Sequence, residues 1–298
     1  MAHPHRIRIF AAVALAAAQL AGLSASPSAA APVAGNERSA LIVGVGKHTG
    51  GRPVGTVGGA GDARVVQEAL RRAGWRDDQM RVLVDAAATA AAIREGITWL
   101  QSRSNDSSFS IFHYSGHTFQ RGGDPDRDGE ALDEFLVPYD TRNLLADREV
   151  SERLRGIQGW LWANFAGCEA IGFDDAGLSG PRRLVTASSA EPEKSYERPD
   201  WRMSVYVGLM FDEGVLKGRA DADRDGTVSI HEAFAYAARE APIMTARQSK
   251  GPQNPQMRGG DGQPWFLAPP PLPPPSTPPS PLGPPGRQRL CLGTLCLL

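Results

Sequence analysis

The chain has 298 residues, with 32 Lys and Arg against 33 Asp and Glu, for a formal net charge of −1. That balance leaves no basic stripe for nucleic acid. Of its 3 cysteines, Cys291 and Cys296 lie at the far end, so a disulfide scaffold is excluded and Cys168 is the lone thiol of the central region.

The first residues carry His5, Arg6 and Arg8, then an apolar stretch from Ile9 to Leu23, then small residues around Ser28-Ala29-Ala30. This order predicts a signal peptide at 1–30 and hence a secreted protein, extracellular or associated with the cell wall. The apolar stretch is shorter than the roughly 20 residues that cross a bilayer, so no stable membrane span is expected. Residues 31–267 read as the folded domain. Leu41-Ile42-Val43-Gly44-Val45 is a continuous apolar run bounded by glycine, which suits a central parallel strand. After a glycine-rich loop, Asp62 is placed to cap a helix with Val65, Val66 and Leu70 on one face. Met80 to Val84 predicts a second strand. Thr89 predicts the cap of a helix whose Ile93, Ile97 and Leu100 share a face. Phe109 to Phe112, Gly159 to Phe165 and Leu184 to Ala187 complete the strands. Strands alternating with helices predict an α/β fold with a mainly parallel, doubly wound sheet. From Pro269 to Pro285 proline dominates. Residues 268–298 therefore predict a proline-rich disordered tail, through which contact with a cell wall is one expectation.

Sheets of this kind place ligands beyond the carboxyl ends of their strands. Two predicted strands deliver reactive residues there, His117 after Tyr114-Ser115-Gly116 and Cys168 after Phe165-Ala166-Gly167. A thiol needs a base or an electropositive setting to ionise at neutral pH, and a neighbouring strand end can supply that base. Competing chemistries fail on spacing. Gly44-Val45-Gly46-Lys47-His48-Thr49 has Leu41 where a P-loop needs its first glycine, His48 where it needs Ser or Thr, and Thr49 where a dinucleotide loop needs glycine. It reads as a flexible loop beside the cleft. His113 and His117 would be about 13 Å apart at roughly 3.3 Å per strand residue, too far to chelate one ion.

The run Asp221 to Glu232 matches a twelve-residue EF-hand-type calcium loop. Asp221, Asp223, Asp225 and Ser229 offer side-chain oxygens, Thr227 its backbone carbonyl and Glu232 the closing carboxylate, with Gly226 at the sharp turn. Calcium is the expected cofactor, and a single loop suits a structural site better than a switch. The similar run from Asp124 to Gly129 has Phe135 at its twelfth position and lacks the closing Glu.

Taken together, these residues resemble the caspase and metacaspase family of cysteine peptidases (the C14-like group) in a bacterial, secreted form. The landmarks are Ala40-Leu41-Ile42-Val43-Gly44-Val45, Gly61-Asp62-Ala63, Ala88 to Ile93, Tyr114-Ser115-Gly116-His117, Asp133 to Pro138, and Cys168 with Gly172-Phe173. The 51 positions from His117 to Cys168 are close to the roughly 50 of caspase-type enzymes. The resemblance implies a three-layer α/β/α sandwich that cleaves a peptide or protein substrate by acyl transfer. Cys168 would be the nucleophile, His117 the acid–base partner, and the backbone N–H groups of Thr118 and Cys168 the oxyanion site. It also implies cleavage after Arg or Lys, with Asp62 and Ser115 matching two substrate-pocket positions, and Asp147 and Asp175 matching acids of calcium-responsive relatives.

Three residues depart from the family pattern: Thr118 replaces a glycine, Ala166 replaces a pocket Asp, and Glu169 adjoins the thiol. A carboxylate beside a thiol raises its pKa unless a cation balances it. The expected function is a secreted, calcium-binding cysteine endopeptidase. The alternative is a weak or inactive caspase-fold protein that binds a peptide or protein partner.

Overall fold

Strand β1 (Arg38–Gly44) is buried on both faces, and its side chains alternate between two apolar cores, Ala40 and Ile42 on one side, Leu41 and Val43 on the other. A two-residue period with both faces covered is the signature of a central parallel strand. The computed structural model describes residues 37–49, 58–123 and 131–268, together with the backbone of Cys291–Leu292 and Leu295–Cys296, which pair antiparallel. The leader expected at 1–30 and the rest of the tail beyond Ala268 lie outside the described residues.

After β1 come α1 (Gly59–Arg72), β2 (Met80–Val84), α2 (Ala90–Ser102) and β3 (Phe109–Ser115). Next are β4 (Thr118–Gly122), β5 (Leu132–Leu136), β6 (Leu145–Ala146), α3 (Asp147–Arg155), β7 (Trp160–Ala166) and β8 (Arg183–Ala187). The chain closes through β9 (Glu197–Arg198), β10 (Met203–Ser204), α4 (Val205–Val207), a π-helical stretch Gly208–Leu216, α5 (Ile230–Thr245) and β11 (Gln256–Gly259). The main sheet has the order β11-β8-β7-β3-β1-β2, and only β11 runs antiparallel to its neighbour. Helices α1 and α5 and the π-helical stretch cover one face around Tyr206, Phe211 and Trp265. Helices α2 and α3 cover the other, around Ile93, Ile97, Leu154 and Phe165. This is the expected α/β/α sandwich. No described helix is long and apolar enough to cross a membrane.

Thr89 caps α2 by accepting a hydrogen bond from Ala92 N–H at 3.2 Å, and Ile93, Ile97 and Leu100 are buried as the spacing predicts. His113 is a packed strand residue: it bonds Asn164 at 2.9 Å, and full burial depresses its imidazole to about 3. Asp62 does not cap its helix. That helix starts earlier, at Gly59, with Gly58 as its cap and Asp62 inside the first turn. The glycines allow this: a Cβ on Gly59 would lie 2.6 Å from Ser115 O and 2.7 Å from Val45 O, so the helix start fits flush against two strand ends.

Candidate active site

Strands β3 and β7 pair in parallel from Phe109↔Trp160 to Ser115↔Ala166. His117 and Cys168 each lie two residues beyond the final pair, so the spacing that separates them in sequence is the register offset of two adjacent strands. Gly116 N–H continues the ladder to Ala166 O at 3.1 Å. The residues between are glycines because the strand ends cross closely. A Cβ on Gly167 would meet Thr118 Cγ2 at 2.6 Å, and one on Gly116 would meet the Tyr114 hydroxyl at 2.8 Å.

The His117 carbonyl accepts from Tyr114 Oη at 2.6 Å and from Val137 N–H at 3.1 Å, which fixes its backbone. The His48 ring stands 5.6 Å from the His117 ring, centre to centre, with its Nδ1 3.1 Å from Pro138 O. Thr118, where the resemblance expects glycine, opens β4 opposite Leu136 without a positive φ. Thr118 therefore sits in backbone that does not require glycine. Its Oγ1 donates to Cys168 O at 2.6 Å, joining the two residues proposed for the oxyanion site.

Cys168 is half-buried, and its Sγ donates to Ser195 O at 3.9 Å. Burial pushes the thiol above its ordinary value and the charges of Glu169 and Glu197 push it further, while the charge of Lys194 opposes them. Glu169 itself is in left-handed backbone (φ 49°), and its N–H donates to Glu193 O at 2.8 Å. Its buried carboxylate pairs with the Lys194 ammonium. Lys194 is thus a cation that balances Glu169, and sequence reasoning missed it.

The structure brings Asp62 and Ser115 together, but both are buried. Ser115 Oγ donates to Asp62, and Ser204 N–H donates to the same carboxylate at 2.9 Å. Burial raises the Asp62 carboxyl to about 6 against the pull of those bonds. The acid that reaches a cavity is Glu197. It lines a space of about 420 Å³ with Gly58, Ala60, Arg64, Arg198 and Arg202. Its carboxylate accepts from Gly58 N–H at 2.5 Å, and desolvation of that end, followed by the Asp62 charge, raises it to about 7 although the residue as a whole is exposed. Its sequence neighbourhood gave no signal of this. Ala166 is buried and brings no carboxylate to the site.

Of the acids matched to calcium-responsive relatives, Asp147 is buried at the start of α3, where it accepts from Glu134 N–H at 2.5 Å. Asp175 is half-buried beyond the 3-10 turn Ala170–Phe173. Glu134 is also buried, and burial raises its carboxyl strongly, with the charges of Glu191 and Asp147 adding to the effect.

In the loop from 221 to 232, oxygens of Asp221, Asp223 and Asp225 lie within 4.8 Å of one another. Gly226 takes φ 86° at the turn, and Asp221 Oδ1 is buried with no hydrogen-bond partner. Glu232 closes the loop by accepting from Ala222 N–H at 3.0 Å, while its other oxygen accepts from Ser229 Oγ at 2.8 Å. Ser229 and Glu232 form a capping box that starts α5. The other Asp221 oxygen accepts from Gly226 N–H at 3.1 Å, and converging oxygens around one unpartnered carboxylate oxygen fit a hard cation.

Residues 37–176 match the caspase domain of the peptidase C14 family. The fold is a caspase-like α/β/α sandwich. Metacaspase-1 of Mycosarcoma maydis is 32% identical over 110 residues, which cover 35% of this chain and 27% of that protein. The chain thus spans about a quarter of the length of that relative. A crystal structure of protein GSU0716 from Geobacter sulfurreducens superimposes with a TM-score of 0.57 at 15% identity, over 78% of this chain and 97% of that one. The caspase domain supports a cysteine peptidase-like function.

Proposed function

We propose that the chain is a secreted cysteine endopeptidase that cleaves peptide bonds after basic residues through Cys168 and His117, and that it binds calcium. The observation that carries this reading is the register that sets both residues two positions past Ser115↔Ala166, at the carboxyl end of the sheet. His117 takes the thiol proton, and the sulfur attacks the scissile carbonyl carbon to give a tetrahedral oxyanion held by the N–H groups of Thr118 and Cys168. Collapse expels the amine with the proton from His117 and leaves an acyl thioester. Water, deprotonated by His117, then releases the carboxylic acid and restores the thiol.

The preference for a basic side chain before the cut rests on the family resemblance: Asp62 is buried against Ser115, and Glu197 shares its cavity with Arg64, Arg198 and Arg202. Calcium would be held by Asp221, Asp223, Asp225, Ser229 and Glu232 with the Thr227 carbonyl, and it would supply charge neutralisation that fixes the start of α5. Secretion and contact of the proline-rich tail with a cell wall are part of the same proposal.

A second reading, a weak or inactive protein that binds a peptide, is favoured by one observation: Ser195 O lies on the thiol, whose ionisation burial already opposes. Fluorogenic peptides ending in Arg, Lys or Asp, assayed with calcium or chelator beside Cys168→Ala, separate the two. Cleavage after Arg or Lys that vanishes in the variant supports the peptidase. No cleavage by a folded protein supports the peptide binder.

A further inference from the structure

The residue after the thiol is a charged one in a costly setting. Glu169 adopts left-handed backbone, and its side chain is only 3% exposed. A carboxylate in that position raises the energy of a thiolate next to it and is itself expensive to bury without a partner. Its partner comes from 25 residues away, where the Lys194 ammonium pairs with Glu169 Oε1 while its own side chain stays 44% exposed.

The segment that carries Lys194 is anchored on both sides. Glu169 N–H donates to Glu193 O at 2.8 Å. The Glu193 carboxylate accepts from Asn254 N–H at 3.0 Å and from Asn254 Nδ2 at 2.7 Å. Tyr196 N–H donates to Gln253 Oε1 at 3.1 Å, and Tyr196 Oη donates to Gly251 O at 2.7 Å. Between these anchors Ser195 O contacts the Cys168 sulfur. The charged and titratable groups that act on the thiol are Glu169 on its own loop and Lys194, Tyr196 and Glu197 on this segment, while His117 lies two residues past the end of the neighbouring strand. Among them Lys194 is the fixed cation.

We infer that Lys194 is a positioning residue for the nucleophile: it neutralises buried Glu169 and keeps Cys168 able to ionise. This rests on Cys168 being the reactive thiol, but not on which peptide is cut. A merely structural ion pair and a charge-compensating one differ in sign. If the pair only holds the loop, loss of either member disturbs the site in the same direction. If it balances charge, loss of the cation suppresses the thiolate, and loss of the anion promotes it.

The test is the rate of iodoacetamide alkylation at Cys168 between pH 5 and 10, read by mass spectrometry of the peptide that contains it, so that Cys291 and Cys296 do not interfere. At pH 7, Lys194→Gln should react about tenfold more slowly than the wild type and show a higher titration midpoint. Glu169→Gln should react severalfold faster with a lower midpoint. The double variant should return to within about threefold of the wild type, as expected when one charge compensates the other. Lys194→Arg should retain the wild-type profile. Should Lys194→Gln fail to fold, Glu169→Gln alone still decides, because a slower or unshifted reaction overturns the proposal. Parallel shifts of both single variants would also overturn it. A peptidase assay that fails while these opposite shifts appear would reject the peptidase reading and leave this inference standing.

Discussion

The carboxyl end of the sheet and the loop from 221 to 232 both gather carboxylates, and they do so in opposite ways. At the sheet end Asp62 and Glu169 are buried and each is matched to its own partner, Asp62 to Ser115 and Ser204, Glu169 to Lys194. In the loop, Asp221, Asp223 and Asp225 lie near one another, and the latter two are exposed. Isolated, partnered acids tune neighbours. Converging acids repel until a cation joins them. The first region depends on pairings distant in sequence and the second on twelve consecutive residues, so the two should respond to different perturbations.

The largest expected effect is on chemistry at the sheet end. Cys168→Ala or His117→Ala should lower peptidase activity by at least about a thousandfold. Calcium affinity, measured by titration calorimetry, should not change, and a parallel loss would merge the regions that we separate. Next is stability. Asp62→Ala leaves the Ser115 hydroxyl and Ser204 N–H buried without an acceptor and should cost about 2–4 kcal/mol in urea unfolding.

Asp62 also predicts a pH dependence with a definite sign. Its carboxyl is raised from 3.8 to about 6 in the folded state, so the native protein holds this proton more tightly than the unfolded chain. The contribution to stability is full below about pH 4 and is lost as pH rises through about 6, a change of about 3 kcal/mol. Asp62→Asn should lack that decline, and a variant with the wild-type slope would assign it elsewhere.

The loop should give a smaller effect that appears only with calcium. At free calcium ten times Kd, the wild type should gain about 1.4 kcal/mol in unfolding experiments. Glu232→Gln should lose most of that gain and keep its activity relative to wild type in chelator. Smallest of all, Thr89→Ala removes the cap of α2, far from the loop, and should cost about 1 kcal/mol in urea without altering the calcium-dependent gain.

The sandwich was legible because its central strands are buried on both faces and carry apolar runs, as in Leu41 to Val43 and Leu161 to Ala163. The positions of His117 and Cys168 followed from the same runs, since each residue sits just past one. The hairpin of β4 and β5 was not legible, because β4 is short, largely exposed and polar in pattern. The start of α1 was misread because glycines that pack flush on strand ends look like loop in a sequence. Lys194 and Glu197 had no periodicity or motif to mark them. They reach the site only because contacts with Glu169, Gln253 and Gly58 fold their segment over the sheet end.

The most direct test is covalent capture of the nucleophile. The purified protein would be treated at pH 7.5 with a peptidyl chloromethyl ketone ending in Arg, beside His117→Ala and Cys168→Ala, and each intact mass and modified peptide recorded. One adduct is expected, on Cys168, formed much more slowly in His117→Ala and absent from Cys168→Ala. A folded wild-type protein that stays unmodified, or that reacts as slowly as His117→Ala, would contradict that expectation.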